Sequence, residues 1–203
     1  LPFISILASL FKFLGSKNRS SEEIEQEINS YTGGIELSKY ITEHSKNGNS
    51  VNRLMVSGKS SVTGFEKLQS IILELCMTLN CRNSVKIREI LLKKLNEMRN
   101  SILSSGHATV ISRMGYHLSE AGKRQEIMNG IVYYRFLEEV LKLLDSDPEK
   151  LFQLIEQIRE TVFSKERAVM NITCSSENFE KIGGSLNRFA ACLKKNEVKD
   201  RIE

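Results

Sequence analysis

Tyr31-Thr32-Gly33-Gly34-Ile35-Glu36-Leu37-Ser38-Lys39-Tyr40-Ile41-Thr42 decides the fold class of this chain. Two glycines end a helical pattern, and the residues after them change period. Ile35, Leu37, Lys39 and Ile41 alternate with Glu36, Ser38, Tyr40 and Thr42, which is the period of a strand with one face turned inward. Lys46-Asn47-Gly48-Asn49 follows, and Asn-Gly accepts the positive φ of a tight hairpin turn. Val51 to Val56 is then the return strand.

The flanks are helical. Upstream, an apolar helix covers Pro2 to Leu14 and stops at Gly15. A second starts at Ser20 or Ser21 with Glu23 placed as in a capping box, and it runs to Tyr31. Downstream, Phe65, Leu68, Ile71, Ile72, Leu75 and Leu79 keep a helical register, as do Ile87, Leu91, Leu95, Met98 and Ile102. Ser104-Ser105-Gly106 breaks that pattern before a helix from His107 to Leu118. Tyr133 to Leu144 forms another, and Asp147-Pro148 caps one that turns Leu151, Leu154, Ile155, Ile158 and Val162 inward. Ala168 to Cys174 has strand composition, and a last helix spans Ser176 to Leu193. The order predicts an α+β fold, with helices covering a small antiparallel sheet. Three strands are few for so many helices, so further strands are expected upstream of Leu1. Residues 1–193 read as one domain, and 194–203 as a charged tail or linker.

The chain has 203 residues, 40% of them hydrophobic and 27% charged. Its net charge of +4 comes from 29 basic and 25 acidic residues that are intermingled. Phosphate binding needs clustered positive charge, so no nucleic-acid partner is expected. The run Leu1 to Leu14 is too short to cross a bilayer and lacks the basic start and cleavage site of a signal peptide, so no membrane partner is expected either. Cys76, Cys81, Cys174 and Cys192 show no C-x-x-C spacing and read as small core residues of a reducing compartment.

Catalytic constellations are not evident. His44, His107 and His117 are the three histidines, and none has the spacing of a zinc helix motif with another. Ser57-Gly58-Lys59-Ser60 ends like a phosphate-binding loop, but Arg53 stands where that loop needs its first glycine. No Gly-x-Ser-x-Gly elbow is present.

Several stretches taken together resemble a known family. Leu14-Gly15-Ser16, a short helix, and Tyr31-Thr32-Gly33-Gly34-Ile35-Glu36-Leu37-Ser38 are similar to the pattern of pitrilysin/insulinase-type zinc peptidase domains. Val56-Ser57-Gly58-Lys59-Ser60 resembles a strand end of the presequence-protease and falcilysin subfamily. Ser105-Gly106-His107, Arg113-Met114, Ala121-Gly122, Met128-Asn129-Gly130 and Tyr134-x-Phe136-Leu137 continue the likeness in order. The resemblance implies a parent of about a thousand residues built from four related α+β domains that enclose a chamber for short unfolded peptides. It implies zinc in the parent, held by an inverted H-x-x-E-H motif on the first domain's long helix. Counted back from Gly15, the His, Glu and His positions of that motif fall on Ile6, Ser9 and Leu10, so no zinc is expected in this chain. Glu97 falls near the region of the family's distant glutamate ligand and alone binds nothing useful.

The resemblance thus identifies the chain with a non-catalytic third domain, a wall of the chamber. Its partners would be the other domains of the polypeptide and unfolded peptide substrate. Gly33, Gly34, Lys59, Gly106 and His107 are candidate structural or substrate-contact residues, with a capping or loop-orienting role expected for His107. The compartment implied is mitochondrial or plastid in a eukaryote and cytoplasmic in a bacterium. An unpaired sheet edge would permit a homodimer of the isolated piece. The alternative function is a stand-alone helical module that binds partner proteins through an amphipathic groove.

Overall fold

The structure is a computed structural model that describes residues 1–11, 13–43 and 50–193. It is α+β and predominantly helical, with one two-stranded antiparallel sheet. In chain order the elements are α1 (Pro2–Leu10), α2 (Ser21–Tyr31), β1 (Ile35–Glu43), β2 (Ser50–Gly58), α3 (Phe65–Thr78) and α4 (Ser84–Ser104). They continue with α5 (Gly106–Leu118), α6 (Glu120–Asn129), α7 (Ile131–Ser146), α8 (Pro148–Val162) and α9 (Ser176–Cys192). The turn Lys46–Asn49, Lys12, His44 and the tail from Lys194 lie outside the described residues.

Local chemistry explains most boundaries. Ser20 caps α2: its hydroxyl accepts from Glu23 N, and the Glu23 carboxylate accepts from Ser20 N at 2.8 Å. Asp147 caps α8 by accepting from Lys150 N, as its place before Pro148 suggests. α1 ends earlier than its apolar pattern, at Leu10, and Phe11 and Leu14 stay buried in the turn that follows.

The chain divides into two compact units, and β1, β2 and α8 contribute residues to both. The first comprises Leu1–Leu14, Leu37–Met55 and Cys81–Ile155. Here α1 packs on α4 and α6, α4 on α7, and α6 on both α5 and α7. Its core holds Ile6, Leu7, Leu10, Ile87, Leu91, Tyr133 and Leu137. Phe3 and Phe136 meet edge to face at 4.9 Å. Burying each of these leucines contributes about 1.5–3 kcal/mol.

The second unit comprises Gly15–Glu36, Val56–Asn80 and Glu156–Glu203. In it α3 packs on α2 and α9 around Ile24, Leu68, Ile71, Leu75 and Ile182. The segment after Leu14 is pinned to the end of α3: Lys17 N donates to Thr78 O, and Asn80 N to Gly15 O, both at 2.8 Å. Arg19 bridges the Glu27 and Glu74 carboxylates, and Lys67 reaches Glu27 at 2.8 Å.

Two expectations are corrected. Ala168 to Cys174 is not a strand; a short 3-10 turn at Lys165–Arg167 leads into irregular backbone, where Val169 is 80% exposed. Strand composition without a neighbouring ladder does not make a strand. For the same reason Cys174 is exposed, as is Cys192 at the end of α9, whereas Cys76 and Cys81 are buried as expected. Residues 120–129, which show little apolar periodicity, form a helix of their own, capped by the Ser119 hydroxyl accepting from Gly122 N.

Candidate functional site

Ile6 and Leu10 are fully buried, and the Ser9 hydroxyl donates to Ser5 O one turn back at 2.9 Å. A zinc ion needs lone-pair donors from imidazole, thiolate or carboxylate. Two aliphatic side chains and a hydroxyl turned onto its own helix do not fit one. Among the described residues, no three His, Cys, Asp or Glu side chains come together to hold a metal. Glu97 lies exposed on α4.

The double glycine and Lys59 do come together. Gly33 N donates to Lys59 O at 2.7 Å, and Lys59 N to Gly34 O at 3.4 Å, so the pair extends the hairpin ladder beyond β1 and β2. Gly34 has φ of +109°, a left-handed conformation that a side chain strains. The stem of Lys59 covers Gly33 so closely that a Cβ there would lie 2.6 Å from it. Thr32 steadies the turn, donating its hydroxyl to Ile28 O and accepting from Gly34 N. Lys59 itself is exposed, just past the end of β2.

A polar cluster that was not singled out in the sequence lies in the first unit. Lys39 of β1 donates to Ser5 Oγ and Met128 O, each at 3.0 Å, and to Asn129 Oδ1. Its ammonium sits 5.5 Å from the Tyr133 ring centre. Burial, with Lys94 adding repulsion, lowers the Lys39 amine to about 8. Burial raises the Tyr133 phenol well above its ordinary value. A hydroxyl beside such an amine can form a nucleophile–base pair. Ser5, however, is 1% exposed and donates its own proton to Met128 O at 2.8 Å, so a substrate carbonyl has no way in. The cluster ties α1, β1 and the end of α6 together. Its sequence signal was a lysine on the apolar face of β1.

Gly106 and His107 open α5, both exposed. No residue of α5 is buried. Thr109, Val110, Arg113, Met114 and His117, with Ile131 of α7, line an open groove of about 220 Å³. Behind it Glu126 of α6 is 1% exposed. Its carboxylate accepts from Ile131 N at 2.9 Å and Ser112 Oγ at 3.2 Å, and Arg113 stands 3.6 Å away. Glu126 therefore supplies the side-chain cap that Gly130 cannot give α7.

These features define a helix-rich α+β module whose polar clusters hold its elements together. Residues 1–140 match the family described as Peptidase M-16C associated, and the chain belongs to that family. It is 23% identical to presequence protease 1, chloroplastic/mitochondrial, of Arabidopsis thaliana over 97% of this chain and 18% of that protein. Its identity to the mitochondrial presequence protease of Yarrowia lipolytica is also 23%, over 97% of this chain and 20% of that one. Protein HypA of Clostridium perfringens is 20% identical over 89% of the chain and 18% of its own length. The resemblance to presequence proteases is thereby borne out, and the chain spans about a fifth of these relatives.

Proposed function

We propose that these residues form a non-catalytic wall domain, the third in order, of a zinc peptidase that degrades short unfolded peptides. The observation that carries this reading is the combination of family and helix. Nearly the whole chain aligns with about a fifth of presequence proteases, and the register counted from Gly15 assigns the motif positions to Ile6, Ser9 and Leu10, of which Ile6 and Leu10 are buried. Zinc and the reacting groups then belong to another part of the polypeptide. This domain acts by shape, and the outer edges of the β1–β2 hairpin offer backbone groups to an extended peptide. Gly33 and Gly34 shape the turn at that hairpin, Lys59 is the exposed contact candidate beside it, and Gly106 and His107 set the start of α5. The relatives' names support a mitochondrial or plastid parent in a eukaryotic cell.

The test compares the 203-residue chain with the full-length open reading frame that encodes it. Zinc analysis and peptide hydrolysis are expected to find one tightly held zinc and activity in the longer polypeptide and neither in the chain. Stoichiometric zinc with peptidase activity in the chain alone would overturn the proposal. So would a reading frame that contains no further peptidase domain.

A further inference from the structure

Gly183-Gly184-Ser185 lies at the middle of α9, a helix of 17 residues. A Cβ at Gly183 would meet no neighbouring atom within 4 Å, and one at Gly184 only Nη1 of Arg188 at 3.8 Å. Neither glycine has a positive φ. Packing and turn geometry therefore ask for glycine at neither position, while each glycine lowers the helical population about fivefold against alanine.

The serine adds to the break. Its hydroxyl donates to Ile182 O at 2.8 Å, across the two glycines. In an unbroken α-helix that carbonyl accepts from Leu186 N. Back-bonding of this kind bends helices, and Gly/Ser pairs are where sharp kinks form. The hydroxyl also keeps Ile182 O satisfied when the Leu186 bond opens, which lowers the cost of opening there.

The two halves of α9 are held unequally. Ser175 caps the first by accepting from Asn178 N, Lys181 pairs with Glu177 at 2.5 Å, and Ile182 is buried. Beyond Ser185 no residue of the helix is buried, although Leu186 and Phe189 are half-buried. Arg188 meets Glu66 in the first turn of α3, with side chains 69% and 71% exposed. An ion pair so open to water holds weakly.

We propose that Gly183-Gly184-Ser185 is a hinge built into α9, about which residues 186–192 swing as a strap between a position docked on the first turn of α3 and an open one. The Arg188–Glu66 pair is the clasp, and the Ser185 hydroxyl holds the Ile182 carbonyl while the strap is open. None of this depends on the peptidase reading.

Hydrogen exchange of the full-length polypeptide, resolved to single residues by mass-spectrometric fragmentation, tests the hinge. Opening breaks the bonds from the amides of residues 184–187 to the carbonyls four residues earlier. Those amides should exchange at least about tenfold faster than those of Lys181 and Ile182. Fraying from the helix end would instead give rates that rise steadily toward Cys192. Gly183→Ala with Gly184→Ala should slow the amides of 184–187 about 25-fold. Ser185→Ala should slow them several-fold, and Glu66→Gln should speed them about twofold. Amides of 184–187 as slow as those of Lys181 and Ile182, a steady rise toward Cys192, or exchange that none of these substitutions alters would overturn the proposal. Faster exchange in the alanine pair would overturn it too, because the glycines would then be serving a close neighbour.

Discussion

Glu126→Ala should destabilise the first unit, and its cost can be worked from the contacts. The carboxylate is the acceptor for Ile131 N at the start of α7 and for the Ser112 hydroxyl of α5. Loss of the cap on Ile131 N costs about 1 kcal/mol, and the Ser112 hydroxyl left without its acceptor costs about 1 kcal/mol more. The expected loss is therefore about 2 kcal/mol, which lowers the melting temperature of a chain this size by roughly 4–8 °C. Glu126→Gln keeps the shape and one acceptor oxygen and should cost about 1 kcal/mol. Gly130 supplies a second handle, because a Cβ there would lie 1.9 Å from Glu126 Oε2. Gly130→Ala should thus be costly alone and much less so with Glu126→Ala, a coupling of about 1–2 kcal/mol in a double-mutant cycle. The chain has no tryptophan, so urea unfolding is followed by far-ultraviolet circular dichroism. An alanine variant within about 0.5 kcal/mol of the parent chain, or strictly additive effects at 126 and 130, would refute the reasoning.

Acid should weaken the second unit. Lys67, then Arg19, holds the Glu27 carboxyl below its usual range, and Arg19 does the same for Glu74. Carboxyls with depressed folded values contribute stability that is present above about pH 4.5, their unfolded value, and lost as pH falls through the folded ones. Arg19→Met should flatten that acid limb in unfolding measured from about pH 6 to 3, and an unchanged limb would sink the assignment. Lys39 has the opposite edge. Its folded amine titrates near 8 against an ordinary 10.5, so the unfolded chain binds more protons in that window and stability should rise with pH across it. Lys39→Met should remove the rise, and a rise that persists would place its source elsewhere. Gly34→Ala meets no atom within 4 Å, so its cost is conformational, about 1–2 kcal/mol. A neutral result by urea unfolding would mean that the turn can adopt another path.

The parts of the fold that were legible in the sequence are those in which a local rule and the tertiary environment agree. The Ser20–Glu23 capping box, the Asp147 cap and the change of period at Gly33-Gly34 each carry their own chemistry, and each lies where the spacing put it. Residues 168–174 had strand composition and no partner, and their backbone is irregular. Helix α6 was hidden for the opposite reason: only Glu126 and Met128 of it are buried, so it has no apolar stripe to be seen. A buried glutamate reads in sequence as one more solvated charge, and its capping role emerges only when α5 and α7 are folded around it.

Helix α1 shows the limit most clearly. Apolar periodicity requires Ile6 and Leu10 to be buried, and both are. The same burial would be found in any core helix, so packing alone cannot say that these positions ever held metal ligands. That step depends on the register counted from Gly15 in a chain now placed in a peptidase-associated family. Substituting His at 6, Glu at 9 and His at 10 would therefore not restore a metal centre. It would desolvate two imidazoles at fully buried aliphatic positions, each needing hydrogen-bond partners that the apolar side chains around it do not offer.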